Sequence, residues 1–188
     1  ASGLDASAPG VIGIWRMNGD WSSAAGSVFG IGVNDAFSPL AKLGSACAVF
    51  NDLSTRVNFA LNTDVSTLMF WMNDARASDG LLELSGGAGT LRLNIADRIL
   101  RVDGVHPSVA KIYLNGSDAG MARLLPGWNH VALRFSPAFT ATNLVLGVAG
   151  SDYMGGMADE MAVLTSAFTL SDLKSYVSQS KRFVAGRV

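Results

Sequence analysis

Charge is scarce in this sequence. Only 15% of its 188 residues are charged, 14 basic and 15 acidic, for a formal net charge of -1, where an ordinary domain carries about 25%. Without a basic excess nothing neutralises a phosphate backbone, so nucleic acid is excluded as the main partner. Glutamate and lysine are scarcer still, at 2 and 4 residues against 13 Asp and 10 Arg. Helix-rich domains use Glu and Lys on their exposed faces, whereas Asp belongs in turns and caps. The single cysteine, Cys47, excludes an intrachain disulfide framework and a Cys-based zinc site. The two histidines, His106 and His130, are too far apart for zinc-ligand spacing. No apolar run exceeds about seven residues, against the ~20 of a membrane-spanning helix, so no membrane partner is expected. The start, Ala1-Ser-Gly-Leu-Asp5, has neither a basic nor an apolar leader region, so no signal peptide is expected there.

Apolar residues and glycine are abundant, at 49% and 21 residues. A chain of this length makes one domain that buries roughly 70% of its unfolded surface. Short apolar segments recur between turn signals. Val11 to Met17 ends at Asn18-Gly19-Asp20, and Ser45 to Phe50 ends at Asn51-Asp52. Thr55 to Leu61 alternates Val57, Phe59 and Leu61 against Arg56 and Asn58. Ser66 to Met72 is nearly continuous apolar, as for a strand buried on both faces. Gly80 to Leu84, Leu91 to Ile95, Ile99 to Val102, Lys111 to Leu114, Trp128 to Phe135, Leu144 to Val148 and Met157 to Leu164 continue the series. Asn115-Gly116 is the strongest short hairpin signal. About ten to twelve strands without intervening helices predict an all-β sandwich or barrel. One segment differs: Thr169 to Lys181 places Leu170, Leu173, Tyr176 and Val177 at helical spacing, with Ser171 as N-cap and Asp172 in the first turn. The expected organisation is an arm over 1–10, a sandwich over 11–180 and a tail over 181–188.

Several ordered pieces carry a family resemblance. Gly13-Ile-Trp-Arg-Met-Asn-Gly-Asp20 looks like an opening strand with an acidic turn. Leu43 to Phe50 followed by Thr55 to Phe59, then Thr67-Leu-Met-Phe-Trp-Met72, then Gly127-Trp-Asn-His-Val-Ala-Leu133, follow in order. Leu144-Val-Leu-Gly147, then Tyr153 to Glu160 with Met161-Ala-Val163 and Phe168-Thr-Leu-Ser171, resemble a closing Gly-x-Ile-Asp-Glu-Val pattern before a short helix. Together these resemble the concanavalin A-like or laminin G-like family of jelly-roll domains across residues 13–177. In one departure, Tyr113-Leu-Asn-Gly116 precedes the Trp-x-His-Val strand, where the family's hairpin follows it. The resemblance implies a two-sheet antiparallel jelly-roll sandwich with one short helix near the C-terminal end. The family includes lectins, adhesion modules, glycosidases and structural parts of viruses, so the fold leaves the function open.

Glycoside hydrolysis needs two carboxylates flanking the scissile bond. Glu83 has no acidic neighbour, and Asp159 and Glu160 are adjacent, so on a regular strand they face opposite sides; no enzyme activity is expected. His130, between Trp128 and Ala132 on one strand face, reads as a packed histidine, and Cys47 as an inert buried thiol. Calcium is the family's common ion. Asp20, Asp152 and Asp159 are the candidate ligands for at most a structural calcium ion, and no other cofactor is expected. Trp15, Trp71 and Trp128 match core strands, which leaves Trp21 and Tyr153, in loop context, as the aromatics available to stack on a sugar or touch a partner.

Sparse charge leaves apolar surface for an interface. The terminal segments bring Leu4 at one end and Phe183, Val184 and Val188 at the other as candidate docking residues. These features favour a non-catalytic subunit that self-assembles or joins other structural proteins, such as a phage head decoration or tail component, on a virion or an extracellular surface. The alternative is a lectin-like glycan-binding module, which requires an exposed aromatic with Asp and Asn beside it in one loop cluster.

Overall fold

The computed structural model describes residues 5–74 and 76–182, with side chains through residue 179. Leu4, Phe183, Val184 and Val188, the residues expected to dock the termini, lie outside the described residues. In chain order the elements are β1 (Val11–Trp15), β2 (Gly30–Val33), β3 (Ala36–Ser38), β4 (Cys47–Val49), β5 (Arg56–Asn73), β6 (Asp79–Gly86), β7 (Gly89–Ala96), β8 (Ile99–Val105), β9 (Val109–Leu114) and β10 (Ser117–Asp118). They continue as β11 (Trp128–Leu146), β12 (Val148–Ala149), β13 (Asp152–Tyr153), β14 (Met157–Leu164) and α1 (Leu170–Arg182). The result is the expected all-β sandwich with one short helix.

Two strands are much longer than the sequence pattern implies. Thr55–Leu61, from Arg56 on, and Ser66–Met72 are one strand of 18 residues, β5. Trp128–Phe135 and Leu144–Val148, up to Leu146, are one strand of 19, β11. The stretches between them pair with each other: Thr63 faces Ala141, Asp64 faces Thr140 and Val65 faces Phe139. The ladder bends at register shifts on either side of that stretch, and Asn62 takes a left-handed φ of 52°. Bulges bend a strand without ending it.

This bent pair belongs to both layers. The first halves of the two strands are neighbours of different partners from their second halves. One sheet runs β2–β5–β11–β6–β7–β8, through the N-terminal half of β5 and the C-terminal half of β11. The other runs from β3, β4 and β1 through β14, β5 and β11 to β9 and β10. All these ladders are antiparallel. The Asn115–Gly116 turn between β9 and β10 has both residues at positive φ, 52° and 81°, the geometry that makes Asn-Gly the favoured two-residue hairpin.

Between the sheets lies one core, with Leu68, Phe70 and Met72 from β5, Val131 and Leu133 from β11, and Trp15 packed at 4.7 Å against Phe59. A second core lies outside the β14–β5–β11 sheet, where Met69, Trp71 and Ala132 meet Leu173, Tyr176 and Val177 of α1. Burying each such side chain contributes about 1.5–3 kcal/mol. The helix explains why Ser66–Met72 is apolar on both sides. Its cap is Thr169, not Ser171. The Thr169 hydroxyl accepts from the Asp172 amide at 3.1 Å, and Asp172 Oδ2 accepts from the Thr169 amide at 2.8 Å. This reciprocal pair satisfies two end donors at once.

Candidate ligand-binding site

Three connections meet at one end of the sandwich: the loop between β4 and β5, the link between β5 and β6, and the β12–β13 hairpin. In the first, Asn51 Oδ1 accepts from the amides of Leu53, Ser54 and Thr55 at 3.0–3.1 Å. That turn sets Asp52, at φ 68°, facing the second. There the Arg76 amide donates to Asp74 Oδ1 at 2.8 Å, and the Arg76 guanidinium pairs with both Asp52 and Asp79, the latter at 3.2 Å. Asp79 Oδ2 also accepts from the Gly155 amide at 2.8 Å. A side chain at Gly155 would bring its Cβ to 2.6 Å from Arg76 Nη1, so a larger residue there would have to displace the guanidinium.

The hairpin closes the third side. Val148 faces Tyr153 and Ala149 faces Asp152, with Gly150 turning at φ 63°. It rests on β6 so closely that a Cβ at Gly80 would collide with the Asp152 carbonyl. The Gly150 amide donates to Glu83 Oε2 at 3.2 Å, and Glu83 is itself paired with Arg92 at 2.7 Å. Arg56 Nη1 donates to the Tyr153 hydroxyl at 3.3 Å. These contacts enclose an open cavity of about 300 Å³ lined by Asp52, Arg76, Asp79, Ile95, Asp152 and Tyr153, with Ser78 and Ser151. Small-molecule sites start at roughly this size. Burial and a hydrogen bond with Asp74 push the Asp79 carboxyl up to about 7.

The structure separates the sequence-predicted residues. Tyr153 and Asp152 stand together in the cavity wall. Trp21 does not serve as an exposed platform: it is only 5% exposed, its indole N–H donates to Asp35 Oδ2 at 2.7 Å, and its ring packs on Phe37 and Phe59. Gly30 and the short strands β2 and β3 fold over it, so its loop position in the sequence misled. The three candidate calcium ligands are held by three different segments. Asp20 is exposed and accepts from the Ser22 hydroxyl and amide. Asp152 lies on the hairpin. Asp159 is wholly buried and accepts from the Leu43 amide at 2.7 Å. Among the described residues no three His, Cys, Asp or Glu side chains are grouped to hold a metal ion.

Asp159 and Glu160 do not face opposite sides. A register shift follows Asp159, and Glu160 takes φ 43°. Both carboxyls come to the neighbourhood of Leu43, where Glu160 shares a cavity of about 50 Å³ with Arg16, Asn18, Leu43 and Gly44. Burial raises both, Asp159 to about 7. His130 is 1% exposed and lies 5.1 Å from the rings of both Trp71 and Tyr176. Neither of its ring nitrogens has a hydrogen-bond partner among the described residues, and burial lowers its pKa to about 3. Burial also raises the Cys47 thiol to about 11, which keeps it protonated and inert.

Asp52, Arg76 and Asp79 are members of the site that sequence reasoning missed. Their signal was present as Asp residues on either side of the Trp71 strand, but Asp52 sits in a turn and Asp79 begins a strand, so neither stands out locally.

No family model matches this chain, and no curated protein does. Solved structures do. Domain 4 of AbnA, a GH43 extracellular arabinanase from Geobacillus stearothermophilus, in complex with arabinotriose, superposes with a TM-score of 0.63 at 14% identity, over 89% of this chain and 98% of that one. The receptor binding domain of botulinum neurotoxin D gives 0.61 at 8% identity, over 90% of this chain and 52% of that one. That of botulinum neurotoxin type G gives 0.55 at 7%. This chain thus spans about half the length of the toxin domains. The shared feature is the β-sandwich fold.

Proposed function

We propose that this chain is a non-catalytic glycan-binding module of laminin G-like type, which takes a saccharide in the cavity between the Asp52 loop, Arg76 and the Asp152–Tyr153 hairpin. The observation that carries this reading is the meeting of Tyr153 with carboxylates and a guanidinium in one loop cluster. Carboxylates and guanidinium hydrogen-bond hydroxyls, and a ring offers an apolar face to a sugar's C–H groups. The arabinotriose complex of the arabinanase domain and the receptor-binding role of the toxin domains support the reading by analogy of fold. Non-catalytic action accords with the carboxylates: Glu83 is paired with Arg92, and Asp159 and Glu160 are buried. Titration calorimetry of the full chain against a panel of oligosaccharides tests it. Binding is expected, and Tyr153→Ala should weaken it about tenfold, as loss of an aromatic contact worth ~1 kcal/mol or more implies. A panel with no binder, or binding indifferent to Tyr153→Ala, overturns the reading.

A second reading, a subunit of a virion or other surface assembly, is favoured by one observation. Phe29 and Ile31 are exposed at or beside β2, which among the described residues pairs only with β5, and Leu40 and Leu53 are exposed too. Unpaired, apolar edges invite association.

A further inference from the structure

Strand β8 ends its sheet at the edge opposite β2, and among the described residues it forms a ladder only with β7. The turn between them, Asp97 and Arg98, has both residues at positive φ, 53° and 62°, and Ala96 faces Ile99 across it. In a two-residue hairpin the residues flanking the turn exchange hydrogen bonds, and bonded and non-bonded pairs alternate from there along the ladder. Ile99, Arg101 and Asp103 therefore bond to β7, while Leu100, Val102 and Gly104 turn their amides and carbonyls to the open side. The Arg98 carbonyl follows the same alternation and accepts from the Leu124 amide at 2.8 Å. A bridge from Arg123 to Ile99 covers the start of the strand. The stretch from Leu100 to Gly104 is left as an unpaired edge, which is a template for another strand.

The charges beside that edge select the strand. Arg101 and Asp103 are both exposed and, two residues apart, share one face of the sheet. Among the described residues Arg101 has no ion pair, and Asp103 accepts from the Asn94 amide group at 3.0 Å. We propose that β8 pairs antiparallel with β8 of a second copy of this chain, about a twofold axis at Val102. Across such a seam only Leu100, Val102 and Gly104 of each copy can exchange bonds, so the register moves in steps of two residues. Centred on Arg101 or on Asp103, the pairing sets like charges opposite each other. Centred on Val102, it sets Arg101 of each copy opposite Asp103 of the other, in the non-hydrogen-bonded pairs where side chains come closest. The twofold axis makes this contact twice in each dimer. Val102, partly buried and packed on the core, is covered further. None of these residues lines the cavity, so the contact leaves that site open.

The contact is small, so the dimer is a weak one, read by sedimentation equilibrium of the full chain at concentrations up to about 1 mM. A monomer–dimer equilibrium is expected. Arg101→Asp and Asp103→Arg each set like charges opposite one another at both pairs, and each should weaken the dimer about tenfold or more. The chain carrying both substitutions should dimerise like the wild type, because the pairs return with their signs exchanged. An equimolar mixture of the two single variants should dimerise as well, since one chain then presents two carboxylates to the other's two guanidiniums. A wild type that stays monomeric at the highest concentration overturns the proposal. So does a dimer unmoved by Arg101→Asp, which decides alone should Asp103→Arg fail to fold by circular dichroism. With both variants folded, a mixture no more associated than its separate components overturns it too.

Discussion

His130 sits neutral in an apolar layer between Trp71 and Tyr176, and this has a definite consequence for pH. Its folded pKa, about 3, lies below the unfolded value near 6.5. The unfolded chain therefore takes up a proton that the folded chain refuses. The stability that goes with the neutral ring is complete above pH 6.5 and is lost as pH falls toward 3, by about 1.4 kcal/mol per pH unit. Asp79 and Asp159 work in the opposite sense, since their folded values are raised to about 7; their contribution is complete below about pH 4, the unfolded carboxylate value, and is lost as pH rises toward 7. The histidine is isolated by comparing wild type with His130→Phe in denaturant titrations. At pH 8 the two should lie within about 1 kcal/mol, because the change also removes two unpartnered nitrogens. From pH 6.5 to pH 4 the variant should gain steadily on the wild type. Parallel profiles would mean that His130 is solvated or paired.

At the scale of elements, α1 decides what the outer sheet face can be. Leu173, Tyr176 and Val177, buried among its described residues, cover β5 and β11 where those strands carry Met69, Trp71 and Ala132. A helix of 13 residues is marginal alone and depends on this packing and on its caps. Thr169→Ala removes the cap hydroxyl and should lower stability by about 1 kcal/mol, read as a shift in the denaturation midpoint with unchanged slope. A cost below a few tenths would show that the Thr169–Asp172 pair is not holding the helix end. The bent strands β5 and β11 set the other constraint. Because each serves both sheets, the sandwich cannot open as two separate layers without breaking the longest ladder in the molecule.

For the molecule as a whole, the question is whether the exposed residues Phe29, Ile31, Leu40 and Leu53 are covered by a second chain. If the assembly reading holds, light scattering at rising concentration should show oligomers larger than a dimer. Replacing Phe29 and Ile31 by Thr, which keeps strand propensity, should remove those larger species. A full-length protein that never exceeds a dimer would remove that reading, and the glycan-binding one would be untouched, since neither Phe29 nor Ile31 lines the cavity.

The strand-rich class, the single helix and the Asn115–Gly116 hairpin were legible in the residues themselves. These are set by local chemistry: side-chain periodicity, turn residues and helical spacing act within a few positions of the chain. The core roles of Trp15 and Trp71 were legible for the same reason, as was the burial of His130. Tertiary structure alone decided that the polar stretches inside β5 and β11 continue as strand, because each is stabilised by the other across some 75 residues of chain. It also decided that Trp21 is core and that Asp159 and Glu160 turn the same way, through folding-over and a bulge that no local pattern encodes. The cavity is the extreme case. Asp52, Arg76, Asp79, Asp152 and Tyr153 come from three separate connections, and each is an ordinary turn or strand-end residue in its own neighbourhood. Their chemistry arises from distances between segments, and only the pairing of β5, β6, β11 and the β12–β13 hairpin sets those distances.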